Sequence, residues 1–188
     1  MKDLVFILEE PSAKEMLEGV LPRLLKDCAV TWRYLVFEGK NDLEKQLPIK
    51  LRNWRRPNSY FLIMRDKDSS NCLELKSKLL GIVADCGKTN VSLVRIACHE
   101  LESFYIGDLD AVEKGLELNN IASKQGKSKF RTPDNIANPA QELIKLTGQC
   151  DQKVRGSREI GKHLKLDGSN LSTSFNCLIG GIMKLSGC

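Results

Sequence analysis

Four short apolar runs punctuate the first half of the chain: Leu4–Leu8 (LVFIL), Trp32–Phe37 (WRYLVF), Tyr60–Met64 (YFLIM) and Val91–Ala97 (VSLVRIA). Between them, apolar residues recur at helical spacing. Met16, Leu17, Val20, Leu21, Leu24 and Leu25 form one face over Ala13–Leu25; Leu43, Leu47, Leu51 and Trp54 form a second, and Leu75, Leu79, Ile82 and Val83 a third. Ser12 with Glu15 three residues on reads as a capping box for the first helix, and Asn41 as the cap of the second. Strand-length runs that are apolar throughout, alternating with amphipathic helices, predict a mostly parallel four-stranded sheet with helices on both faces. Beyond His99 the pattern turns helical over Glu100–Ile106, Leu109–Leu116, 140–147, 157–164 and Ser174–Leu185, with a proline-punctuated loop at 124–139. The expected organisation is an α/β core over residues 1–108 and a helical, basic extension over 109–188 packed on it.

Composition narrows the class. The 188 residues are 41% hydrophobic and 28% charged, with 14 Gly and 6 Pro, which excludes disordered and collagen-like chains. No apolar run approaches the ~20 residues of a membrane span. The opening MKDLVFILEEPS is cut off by two glutamates and lacks a small-residue cleavage site, so a cytoplasmic location and no membrane partner are expected. The seven cysteines are odd in number and include no CxxC pair, and two histidines offer no ligand pair. Reduced thiols are expected rather than disulfides or structural zinc.

The net charge of +5 is uneven: residues 124–165 hold ten Lys/Arg against four acids, a local +6. Such a stretch suits a phosphate-backbone partner, although solvated surfaces also carry such charge. Lys127, Lys129, Arg131, Lys153, Arg155 and Arg158 are the candidate nucleic-acid contacts. Arg52, Arg55 and Arg56 around Trp54 form a second basic cluster, which a helix C-terminus explains equally well.

Ligands of open α/β sheets bind beyond the carboxyl ends of the strands. There this chain collects acids: Glu9 and Glu10 after the first run, Glu38 after the second, Asp66 and Asp68 after the third, Glu100 and Glu102 after the fourth. Crowded carboxylates raise one another's pKa unless a cation neutralises them. Oxygen ligands without His or Cys suit Mg²⁺ or Mn²⁺. Asp66 and Asp68, one residue apart, can face one ion from a tight turn, although Asp/Ser clusters also serve simply as turns and caps. No GxxxxGK[ST] or GxGxxG motif points to an ATPase or a dinucleotide enzyme.

A glutamate ending the first strand, Gly39 after the second and Asp66-Lys67-Asp68 after the third resemble the Toprim catalytic domain, shared by topoisomerases, primases and OLD-type nucleases. The likeness spans residues 4–108 and is strongest to small stand-alone Toprim-like proteins of the RloB-like and neighbouring types, encoded beside an ABC- or AAA-type ATPase in bacterial defence loci. Glu102-Ser103-Phe104-Tyr105 is similar to the acidic element that follows the fourth strand in that family. The resemblance implies a Toprim-like, Rossmann-like fold and metal-dependent phosphodiester cleavage. Asp66 and Asp68 would hold Mg²⁺ or Mn²⁺, Glu9 would act as base or hold a second ion, Glu100 or Glu102 would complete the shell, and a lysine among Lys127, Lys129 and Lys153 would neutralise the phosphate. Glu38-Gly39-Lys40-Asn41-Asp42 spells the family's first motif better than Glu9 does, but strand order favours Glu9. Glu10 stands where Gly is usual and Ala13 where an acid often follows. A catalytically weak subunit that binds nucleic acid or a partner is the alternative, and a small-molecule phosphotransfer or nucleotide-binding protein a third.

Overall fold

In the computed structural model the four apolar runs are strands, β1 (Lys2–Leu8), β2 (Val30–Val36), β3 (Ser59–Asp66) and β4 (Ser92–Ala97). The structure describes residues 1–68, 70–148 and 153–188; Ser69, Cys150 and Asp151, which entered the turn, thiol and charge readings, lie outside them. All strand pairs are parallel, in the order β2-β1-β3-β4. The helices are α1 (Pro11–Leu24), α2 (Lys40–Arg52), α3 (Cys72–Asp85), α4 (Glu102–Ile106), α5 (Leu109–Gly115), α6 (Pro139–Thr147), α7 (Lys153–Gly161) and α8 (Thr173–Ser186). Three 3₁₀ turns, too short to show a period, shape the 124–139 region: Ala122–Gly126, Ser128–Phe130 and Pro133–Asn135.

Alternation along β1 splits the core in two. Leu4, Phe6 and Leu8 face a large cluster with α1, α4, α5 and α8, including Met16, Phe104, Tyr105, Phe175 and Ile182. Val5 and Ile7 face a smaller one with Leu43, Leu47 and Leu51 of α2 and Leu75, Leu79 and Val83 of α3. Both faces of a parallel sheet are thus apolar, which is why its strands read as unbroken runs.

Several local expectations are corrected. Ser12 caps nothing: α1 starts at Pro11 with Glu10 as its N-cap residue, and the buried Ser12 hydroxyl donates to Glu10 Oε1. Proline's fixed φ suits the first helical position, which moves the start two residues forward. Gly39, not Asn41, precedes α2. β3 runs two residues beyond Met64, with Arg65 and Asp66 paired to Ile96 and Ala97 of β4. Asp66 therefore belongs to the strand, and only Asp68 lies in the turn. α7 begins four residues before the expected 157. Its buried face is Gly156, Ser157, Ile160 and Gly161, and small residues leave no apolar period to read. Finally, Cys28 and Cys188 are joined in a disulfide across 160 residues, contrary to the expectation of reduced thiols, whereas Cys72, Cys86, Cys98 and Cys177 are free. Spacing cannot foretell a pair so far apart in sequence.

The small face of α7 lies directly on α1. A Cβ on Gly19 would stand 2.5 Å from the Lys162 backbone nitrogen, and one on Gly161 2.5 Å from the Met16 carbonyl oxygen. Arg23 secures the crossing by donating to the carbonyls of Gly161 and Leu164 at 3.1 and 2.9 Å. Backbone cannot yield as a side chain can, so Gly19→Ala will force the helices apart and lower stability by about 1–3 kcal/mol, read by urea denaturation. A midpoint unchanged from the parent chain would show that the crossing has room for a methyl group at Gly19.

Candidate active site

At the carboxyl edge of the sheet, β1 ends at Leu8 and hands Glu9 and Glu10 to the start of α1, while β3 ends at Asp66. The Asp66 backbone N–H donates to Glu9 Oε2 at 3.2 Å, so acids 57 residues apart in sequence meet on neighbouring strands. Asp66 Oδ2 in turn accepts from the Leu101 N–H at 3.2 Å, which draws in the loop after β4. Glu102, 3% exposed, follows that loop at the head of α4, and its Oε2 has no hydrogen-bond partner among the described residues.

The electrostatics record the crowding. Burial, then the fields of Glu10, Glu102 and Glu9, push the Asp66 carboxyl well above the usual range. Glu9 is raised chiefly by burial, with Asp68 and Glu10 adding to it; the Asp66 N–H and Arg65 pull the other way. Burial pushes Glu102 up to about 7, against the opposing pull of Lys153. Glu9, Glu10, Asp66 and Glu102 therefore share one field, and Asp68 reaches it through Glu9.

Cations answer these acids. Lys153 Nζ donates to Glu10 Oε2 at 2.7 Å, and although burial disfavours its charge, that bond and the fields of Glu102 and Asp66 leave its pKa raised. Lys40 Nζ donates to Asp68 Oδ2 at 2.9 Å. Arg65, 5% exposed, lies with Nε 3.7 Å from Glu9 Oε2 and pairs through Nη1 with Glu44, whose other oxygen accepts from Lys78 at 2.5 Å. Sequence reading did not assign Arg65, Glu44 or Lys40 to the site. The one available signal was an arginine directly after the unbroken apolar run YFLIM, where a guanidinium drawn into the sheet requires an acid beside it.

The remaining candidates scatter. Glu100 Oε2 accepts from the Ala140 N–H at 2.9 Å, at the first turn of α6. Glu38 is exposed, with its N–H on Asp42. Arg155 and Arg158 line a hollow of ≈ 700 Å³ with Lys153, Val154, Glu15 and Glu159, and Arg158 pairs with Glu15. Lys129 pairs with Glu142 of α6, Arg131 donates to the Gly126 carbonyl at 3.1 Å, and Lys127 is exposed. Arg56 lies 3.8 Å from Asp3 at the opposite, amino edge of the sheet, away from the acids.

Two loop residues at the acid edge hold the left-handed conformation, Asp68 at φ 50° and His99 at φ 63°. The Asp68 N–H bonds to the His99 carbonyl at 2.8 Å, tying the two loops together. Both residue types tolerate this region better than most, yet it is uncommon outside glycine. With Lys67, Glu100, Ala137 and Asn138 they line a cavity of ≈ 390 Å³.

The donors at this edge of the sheet are carboxylate oxygens. Among the described residues no three His, Cys, Asp or Glu side chains stand close enough to hold an ion as they are. The all-oxygen set nevertheless fits a hard divalent cation. Glu9 and Asp66 adjoin, and the unpartnered Glu102 oxygen is an acceptor left for a ligand. Asp68, turned to Lys40, would have to change partner to join them.

The family described as a domain of unknown function, DUF4276, matches residues 8–182. The chain belongs to that family. Among solved structures, the DUF4276 chain is similar to the C-terminal region of the Burkholderia pseudomallei OLD protein. The TM-score is 0.55 over 97% of this chain and 96% of that one, at 14% sequence identity. The shared fold, a four-stranded all-parallel sheet flanked by helices, thus extends through nearly the whole DUF4276 chain, including its helical second half. No curated protein matches the sequence. No helix among the described residues of this DUF4276 chain is long and apolar enough to cross a membrane.

Proposed function

We propose that this protein is a metal-dependent, Toprim-like nuclease that cleaves nucleic-acid phosphodiesters. The observation that carries the reading is the meeting of Glu9 and Asp66 at the carboxyl edge of a parallel sheet, beside a buried Glu102 oxygen with no partner. Burying like charges together is unfavourable for folding alone, so such a cluster is best explained by a cation that it serves. The fold shared with the OLD C-terminal region supports the same class.

Glu9, Asp66 and Asp68 would hold Mg²⁺ or Mn²⁺, with Glu102 completing the shell. The ion, when bound, supplies charge stabilisation at the phosphate and a more acidic water. Lys153, anchored on Glu10, places a positive charge beside the acids, where a scissile phosphate gathers negative charge. Arg155 and Arg158, lining the hollow next to it, offer a track for the phosphate backbone, with Lys127, Lys129 and Arg131 as outer contacts. On this reading residues 1–108 form the catalytic core and 109–188 the nucleic-acid-facing extension. The setting would be cytoplasmic, as effector of an anti-phage or toxin-like system with an ABC- or AAA-type ATPase partner.

One observation favours the second reading, a subunit that binds without cutting: Asp68, Glu9 and Glu10 each already face a cation of the chain itself. Incubating the purified protein with labelled DNA and RNA, with Mn²⁺, with Mg²⁺ or with EDTA, separates the two. Cleavage that needs the metal supports the nuclease. Salt-sensitive binding without cleavage under any of these conditions supports the binding subunit.

A further inference from the structure

We propose that Lys40 is an exchangeable counter-ion: in the metal-free chain it neutralises Asp68, and once a divalent cation takes Asp68 it turns to a phosphate of the substrate. The inference rests on the metal-dependent reading above and adds a phosphate-contacting residue outside the basic third of the chain.

The Lys40 ammonium donates to Asp68 Oδ2 at 2.9 Å and also feels Glu9, so it answers two acids that come from different strands. Its side chain is 49% exposed. An exposed ammonium–carboxylate pair is weak and screened, and a divalent cation displaces it easily. Arg65 cannot exchange in this way, because it is buried and held by Glu44, which Lys78 holds in turn.

The position of Lys40 is otherwise unfavourable. It is the first residue of α2, where the helix dipole disfavours a cation. The other basic residues of that helix's ends, Lys50 and Arg52, occupy its last turn, where the dipole favours them, and Asp42 occupies the first. Lys40 is therefore placed for Asp68 and not for its helix. Released, it stays at hand, because the adjoining Gly39 N–H is bonded to the Glu9 carbonyl at 2.9 Å.

The test pairs two titrations, Mn²⁺ alone followed by electron paramagnetic resonance, and a fluorescein-labelled oligonucleotide in rising salt with Mn²⁺ present. Lys40→Met is expected to bind Mn²⁺ about two- to fivefold more tightly, since the competing ammonium is gone. The same variant should bind the oligonucleotide with a salt slope lower by about 0.9 for duplex or 0.7 for a single strand, the signature of one lost phosphate contact. Lys40→Arg, which keeps the charge, should stay near the parent chain in both. A merely structural role would not move the two affinities in opposite directions. Unchanged or weaker Mn²⁺ binding by Lys40→Met, or an unchanged salt slope, overturns the inference. Asp66→Asn separates the layers: if it binds Mn²⁺ as the parent does, the metal reading itself has failed, whereas if it loses Mn²⁺ while Lys40→Met or Asp68→Asn binds as the parent does, only the role of Lys40 has.

Discussion

Asp66→Asn and Glu9→Gln will each abolish Mn²⁺ binding and reduce metal-dependent cleavage by roughly 10³-fold, the several kcal/mol that a metal contributes to a developing phosphate charge. Neither change should unfold the protein. Asn keeps an oxygen for the Leu101 N–H, and Gln keeps one for the Asp66 N–H, so both backbone contacts persist. Both changes also remove a buried charge that burial already disfavours. Isothermal titration with Mn²⁺, gel-resolved cleavage and circular dichroism on the same preparations check the three parts separately. A double variant that cleaves like its parent would end the nuclease assignment at these residues. One that neither binds metal nor cuts, yet retains nucleic-acid affinity and full activity in cells, would favour the binding subunit.

The metal-free protein will lose stability as pH rises from about 5 to about 8. Glu102 titrates near 7 in the folded chain against 4.5 without its surroundings. In that window the native state holds a proton that the unfolded chain has released, so raising the pH favours unfolding. The deficit, complete above about pH 7, is on the order of 3 kcal/mol. Asp66 and Glu9 are raised as well and act in the same direction. Glu102→Gln should flatten the dependence and stabilise the chain at pH 8, measured by chemical denaturation in EDTA. Added Mn²⁺ should act oppositely, stabilising more at pH 8 than at pH 5, because protons compete for its ligands. Stability that climbs through this window, or a Glu102→Gln variant with the parent's profile, would contradict the description of Glu102 as an acid that burial pushes up to about 7.

The layered α/β architecture was open to reading because a parallel sheet needs apolar residues on both faces, and LVFIL and YFLIM admit no other strand pattern. Strand order then brought Glu9 and Asp66 to one edge without any contact being known. What escaped the sequence is instructive in physical terms. Arg65, Glu44 and Lys78 come from one strand and two helices, and each looks like ordinary surface charge until the fold closes around them. Lys40 sat inside a familiar motif spelling and drew attention to Glu38, which is exposed, rather than to its own ammonium. Lys153 was one of three lysines named for the phosphate, and only the packing of α7 on α1 sets it, rather than Lys127 or Lys129, beside the acids. That packing is itself silent in sequence, since glycine and serine faces carry no hydrophobic period. The Cys28–Cys188 link joins segments that no local rule connects.

The backbone contact between α1 and α7 has a mechanical consequence. With no side chains between Gly19 and Gly161 to act as a cushion, a displacement of one helix would meet the backbone of the other at once. Glu10 precedes the first residue of one, and Lys153 begins the other. A polyanion settling against Arg155 and Arg158 would therefore press on the same rigid piece that carries both Glu10 and its lysine.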